Sequence, residues 1–99
     1  MYAVIFRAVL KNPDPAYRDA AEKLRERAIN RYGCLGFSAT TQGNEEIAVS
    51  YWETLEQIAA WKGDPEHLQA QRLGLSKWYQ SCQVEVAEVI NRYDCTMKP

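Results

Sequence analysis

Positions 2 to 10 alternate Tyr2, Val4, Phe6, Ala8 and Leu10 against Ala3, Ile5, Arg7 and Val9. Both sets are largely apolar, the pattern of a strand covered on both faces. Asn12-Pro13-Asp14-Pro15 breaks it. Asp14 can cap a helix, and Pro15 suits the first helical position, where a missing N–H is no loss. From there Tyr17, Ala20, Ala21, Leu24, Ala28 and Tyr32 recur at three- and four-residue spacing, with Arg18, Glu22, Arg25 and Glu26 on the other side. The spacing predicts an amphipathic helix of about four turns, closed at Gly33. Its four charges read as a solvated face.

Phe37 to Gln42 is a short strand rich in Thr and Ser, turned by Gly43-Asn44 into a second run from Glu46 to Glu53. Ile47, Val49 and Tyr51 share one face of that run, and Ala48, Ser50 and Trp52 the other, so the pair predicts a hairpin. Thr54 then precedes Leu55, Ile58, Ala59 and Lys62, a short helix interrupted at Gly63-Asp64-Pro65. Asp64 and Pro65 repeat the cap-then-proline signal and open a further helix through about Leu73, with Gly74 as its end. Cys82 to Tyr93 is the last strand; its run Val84, Val86, Ala87, Val89, Ile90 slips register once, as a bulged strand would.

The order is therefore β-α-β-β-α-β, with the second helix in two pieces. That is an α+β, ferredoxin-like arrangement: one antiparallel sheet with both helices on one face. The first and last strands read as apolar on both sides, so the second sheet face needs a cover. A second copy of the chain is the simplest one, a homodimer through the sheet face, since closed two-fold pairs are the commonest assembly. Ninety-nine residues are too few for two cores. The domain is placed at residues 1–94 and a C-terminal tail at 95–99.

Composition narrows the function classes. With 46% apolar and 25% charged residues the chain is ordinary globular material. Twelve Lys and Arg against thirteen Asp and Glu give a net charge of −1, unlike a phosphate-driven nucleic-acid binder. No apolar run approaches the roughly 18 residues of a membrane span. The start, MYAVIFRAVLKNPDP, is too short in apolar residues and lacks the basic leader of a signal peptide. A small cytoplasmic domain is expected, with neither nucleic acid nor membrane as partner. Cys34, Cys82 and Cys95 are scattered, without a Cys-x-x-Cys, beside one histidine, so no metal site is predicted and the thiols read as reduced. There is no Gly-rich phosphate loop, and Glu45-Glu46 at the hairpin turn read as solvated.

The stretch YWETLEQIAAWKGDPEHLQAQRLGLSKWY, from Tyr51 to Tyr79, holds Trp52, Trp61 and Trp78 and the only histidine, His67. His67, Ala70, Gln71 and Gly74 share one helix stripe; Leu68, Arg72 and Leu75 form the next. The break at Gly63 can bring the Trp61 indole near His67. That would make an aromatic-walled cavity with one titratable group, suited to a flat organic molecule.

In this stretch Tyr51-Trp52-Glu53, Leu55-Glu56-x-Ile58-x-Ala60-Trp61-Lys62, Glu66-His67-x-x-Ala70-Gln71, Gly74 and Trp78-Tyr79 stand in one pattern. It resembles that of the antibiotic biosynthesis monooxygenase (ABM) family of dimeric α+β barrels. The element order agrees over residues 1 to 94. The resemblance implies a homodimer whose sheets pack face to face, with a cavity between sheet and helices in each subunit. Some members oxidise polycyclic phenols to quinones with O₂ and no cofactor; others bind haem and cleave it. The haem-degrading branch uses an Asn in the first strand and a His some ten residues after the helical Trp. Here the first strand has no Asn, and the position ten after Trp61 is Gln71. Both departures count against haem.

Three functions stay open: a cofactor-independent monooxygenase acting on a flat phenolic, polyketide-like substrate; a non-catalytic or haem-binding protein for small aromatic ligands; and an accessory dimer. For the first, His67 is the candidate base, since an imidazole titrating near about pH 6.5 can take a proton at neutral pH. Tyr51 and Tyr79 are candidate hydrogen-bond donors to a phenolate or peroxide oxygen. Trp61, Trp78, Gln71 and Arg72 are candidate substrate contacts. Each also has a plain structural reading: core indoles, buried tyrosines bonded to backbone, and a solvated helix arginine.

Overall fold

The computed structural model describes residues 1–96, so 97–99, most of the expected tail, lie outside the described residues. The chain runs β1 (Tyr2–Leu10), α1 (Pro15–Arg31), β2 (Gly36–Gln42), β3 (Glu45–Trp52), α2 (Leu55–Lys62), α3 (Pro65–Leu73), a π-helical turn (Gly74–Trp78) and β4 (Tyr79–Glu88). The four strands form one sheet in the order β2-β3-β1-β4, every neighbouring pair antiparallel. This is the α+β, ferredoxin-like fold.

The punctuation read from the sequence acts as predicted. The Asp14 carboxylate accepts from the Tyr17 N–H at 3.0 Å, with Pro15 opening α1. At 17 residues α1 is closer to five turns than four. Beyond it Gly33 takes φ +79°, the left-handed conformation that lets the chain leave a helix without a Cβ clash.

The end of the second helical segment differs from the sequence reading. Gly74 does not stop the helix: it stays right-handed (φ −59°, ψ −50°), and the Tyr79 N–H reaches back to its carbonyl across the wider π turn. A Cβ on Gly74 would lie 2.3 Å from the Tyr79 ring, so this glycine serves close packing rather than termination. β4 consequently begins at Tyr79, not Cys82. It ends at Glu88, not Tyr93, because Glu88 pairs with Tyr2 and β1 has no further strand to offer. The irregular register sits at Gln80, between the pairs Val9–Ser81 and Leu10–Tyr79. Val84 and Val86 keep ordinary register, and Val89 and Ile90 lie past the strand.

Register also divides the two faces of the sheet. Tyr2, Val4, Phe6, Ala8 and Leu10 point to the helices, together with Ser50 and Trp52 of β3. The helix-side core has two clusters. One joins Val4, Ala28, Cys34, Trp52, Ile58 and Trp61; the other joins Ala8, Leu10, Tyr17 and Trp78. The open face carries Ala3, Ile5 and Val9 from β1 and Ile47, Val49 and Tyr51 from β3. β4 adds Ser81, Gln83, Glu85 and Ala87 there, so the last strand is not apolar on both sides as predicted. Arg7 and Glu85 pair across that face at 3.1 Å.

Candidate functional site

A capping box starts α2: the Gln57 N–H donates to Thr54 Oγ1 and the Thr54 N–H to Gln57 Oε1, both at 3.2 Å. α2 closes at Gly63, and Asp64 caps α3 by accepting from the Glu66 N–H at 2.8 Å. The break turns the chain so that the Trp61 and His67 rings meet edge to face, with centroids 4.5 Å apart. Trp61 is buried, donates from Nε1 to the Leu24 carbonyl at 3.3 Å, and packs on Trp52 and Phe37. His67 Nδ1 is out of solvent contact and has no hydrogen-bond partner among the described residues. Burial pushes the imidazole pKa below its ordinary value; the Lys62 charge pushes the same way and Asp64 opposes. At neutral pH it is therefore an uncharged base.

Asp64 does more than cap. Its carboxylate accepts from Arg27 Nε at 3.0 Å, Arg27 Nη2 at 2.7 Å and the Tyr32 hydroxyl at 2.5 Å, tying α1 to the start of α3. The Arg27 guanidinium holds the carboxyl well below the usual carboxylate range, against the opposing effect of burial, and Tyr32 and the Glu66 N–H add to it. Sequence reasoning missed this cluster. The available signal was Arg27 itself, three residues after Leu24 at the edge of the apolar stripe, where a charge needs a partner.

Trp78 and Tyr79 lie at the other end of the helix side, beside Ala8 and Leu10. Trp78 meets Tyr17 at 5.2 Å, edge on, and Tyr79 packs on Phe6 at 5.5 Å. Trp78 Nε1 is buried without a partner among the described residues. Glu46 belongs to this end too. It was read as solvated, but it shares strand parity with Ser50 and Trp52, so it sits opposite Ala8 on the helix side. Its Oε2 is buried and unpartnered, and burial pushes its pKa up.

The sequence-predicted residues are thus divided. His67 and Trp61 meet at one end of the helix side, Trp78 and Tyr79 at the other. Tyr51 faces away from both, on the open sheet face opposite Ala3, with the Arg92 guanidinium 5.4 Å above its ring. Gln71 and Arg72 are exposed on α3. The expected cavity walls, Trp61 and His67, touch one another. Two surface depressions, one at Tyr2 and Glu53–Glu56, the other between Tyr32 and Gln57, reach neither. Cys34 is buried with its thiol donating to the Gly36 carbonyl at 3.1 Å, while Cys82 and Cys95 are exposed; all three are unbridged. No group of three or more His, Cys, Asp or Glu suited to a metal occurs among the described residues. Nor is any described helix long and apolar enough to cross a membrane.

Comparison with known proteins gives concordant findings. Residues 1–73 match the antibiotic biosynthesis monooxygenase family. The uncharacterized protein YqjZ of Bacillus subtilis (strain 168) is 37% identical over 89 residues, covering 89% of this chain and 78% of its own. A mutant of SnoaB, a cofactor-independent oxygenase from Streptomyces nogalater, superposes with TM-score 0.77 over 92% of this chain and 94% of its own, at 7% identity. Rv0793 from Mycobacterium tuberculosis does so with TM-score 0.67 over 94% and 98%, at 19% identity. At such identities the two structures share the fold.

Proposed function

This chain belongs to the antibiotic biosynthesis monooxygenase family, and from that premise we propose that it is a cofactor-independent monooxygenase oxidising a small, flat, phenolic or polyketide-like aromatic with O₂. The observation that carries the reading is His67: a neutral imidazole with a buried, unpartnered Nδ1 set against the Trp61 indole. Triplet O₂ reacts slowly with closed-shell molecules, and an electron-rich anion gives up an electron far more readily. His67 takes the phenolic proton and leaves that anion on the ring. Electron transfer to O₂ and recombination place a peroxide on the ring carbon para to the oxygen. Loss of that carbon's hydrogen with cleavage of the O–O bond gives the quinone and one water, the His67 proton returning to the departing hydroxide. Trp61 offers a stacking face, and the apolar surroundings keep bulk water from the peroxide.

Incubating the purified protein with a dihydroxyanthracene, and separately with hemin, tests this by O₂ uptake and absorption spectra. One O₂ consumed per quinone formed supports it; hemin binding without phenol oxidation points to a haem protein. His67→Ala should lower turnover by about 10²–10⁴-fold with the fold retained, and a loss below about threefold removes His67 from the chemistry. Prolonged chelation should leave turnover unchanged; a tightly retained stoichiometric metal overturns the cofactor-independent reading.

The same reading includes a homodimer through the open sheet face. Its support is the apolar set Ile5, Val9, Ile47, Val49 and Tyr51, which a second copy would remove from water. Sedimentation at micromolar concentration should give twice the 11.4 kDa chain mass; a stable monomer refutes it.

A further inference from the structure

On the helix side of the sheet one row of side chains crosses all four strands: Thr41, Glu46, Ala8 and Cys82, as the pairings Thr41–Glu46, Glu46–Ala8 and Ala8–Cys82 require. Ala8 is the small member, so beside the Glu46 carboxyl the row holds only a methyl group. Trp78 and Tyr79 pack at this end through the contacts that the bare Cα of Gly74 permits. Two polar atoms here, Glu46 Oε2 and Trp78 Nε1, are out of solvent contact and unpartnered among the described residues. Lys77, next to Trp78 in the chain, is engaged with Asp14 at 3.3 Å. Burial raises the Glu46 carboxyl, and burial first, then Glu46, then Cys82, raises the Tyr79 phenol. Both groups favour their protonated, hydrogen-donating forms.

We propose that Glu46 and Tyr79 form a second polar site, which donates hydrogen bonds to an oxygen of the substrate remote from the one that His67 deprotonates. A neutral carboxylic acid beside a phenol in an apolar setting is a donor pair that enzymes use to hold a carbonyl or enolate oxygen. The two ends lie at the rows of Val4 and Ala8, four residues apart on β1, or about 13 Å between Cα atoms at the rise of an extended strand. Fused aromatic rings bearing an oxygen at each end match that span. The inference rests on the oxygenase reading for the role of His67, and it narrows the substrate to flat aromatics oxygenated at opposite ends.

Binding without turnover provides the test, using under anaerobic conditions a naphthalenediol with hydroxyls at opposite ends, the corresponding mono-naphthol, and naphthalene. One extra hydrogen-bonded hydroxyl should make the diol bind about tenfold more tightly than the mono-naphthol. Glu46→Leu and Tyr79→Phe should each erase that preference, whereas Glu46→Gln, which keeps a donor, should retain it. Infrared difference spectra at neutral pH should show a protonated-carboxyl stretch that Glu46→Gln removes. Equal binding of diol and mono-naphthol overturns the second site, whatever the O₂ uptake shows. A Glu46-dependent preference without any phenol oxidation supports the site and defeats the oxygenase reading. Failure of all three probes to bind overturns the site as well.

Discussion

Asp64 and Glu46 are both carboxylates on the helix side of the sheet, and their surroundings push them in opposite directions. Asp64 is almost fully buried but surrounded by donors: Arg27, Tyr32 and the Glu66 N–H. Its pKa falls well below the ordinary range. Glu46 is only partly buried, yet its inner oxygen meets no donor among the described residues, and its pKa rises. Burial alone does not decide the charge of a carboxyl; what decides is whether hydrogen-bond donors travel into the interior with it. The two ends of the molecule repeat the lesson. Around Trp61 the indole N–H groups of Trp61 and Trp52 are matched to Leu24 and Ser50, whereas that of Trp78 is not. One end is built for order, and the other keeps polar atoms in reserve.

The largest effect expected from breaking this contrast is at Trp61. Trp61→Ala removes an indole that joins α1, α3 and the sheet, and should cost about 3–5 kcal/mol in chemical denaturation. A neutral result would mean that the Trp61 end is not the ordered one. Next comes Asp64→Ala. Loss of the cap costs about 0.5–2 kcal/mol, and loss of the Arg27 and Tyr32 contacts should carry the total above that range at neutral pH. A carboxyl whose pKa is held down in the folded chain stabilises above its unfolded value, near about 3.9, and ceases to do so as pH falls below it. The gap between wild type and variant should therefore shrink in acid. A gap independent of pH would leave only the cap.

Most of the fold was legible because it rests on local signals. The first strand's bounds, the Asp14 and Asp64 caps, the hairpin turn and the broken second helix follow from residue type and spacing. The failures share one cause: they depend on what lies across the sheet. Gly74 looks like a helix stop until the Tyr79 ring is placed over it. Val89 and Ile90 look like strand until β1 runs out beneath them. Aromatic residues close in sequence looked like one cavity, yet strand parity sends Tyr51 to the open face, and the length of α3 with its π turn carries Trp78 and Tyr79 away from His67. Glu46 was within reach of the same parity argument, since it alternates in step with Ser50 and Trp52; proximity to a turn suggested solvent instead.

The smallest effect is the most discriminating, because its sign carries the comparison. A carboxyl whose pKa is raised by folding stabilises most fully below its unfolded value, near about 4.3, and that contribution is lost as pH rises through the folded value. Glu46→Gln replaces the group by a neutral one of similar shape. Near pH 4 both side chains are uncharged and the two proteins should unfold at closely similar denaturant concentrations. Toward neutral pH the wild type must either bury a charge or hold a proton against solvent, and the variant does neither, so its relative stability should rise. Asp64→Asn in the same buffers should show the reverse, a deficit that grows as pH rises out of acid. Opposite slopes from two chemically similar substitutions are what donors at one carboxylate and none at the other require. Slopes of one sign would mean that Glu46 finds a donor in solution, and the distinction between the two ends would rest on packing alone.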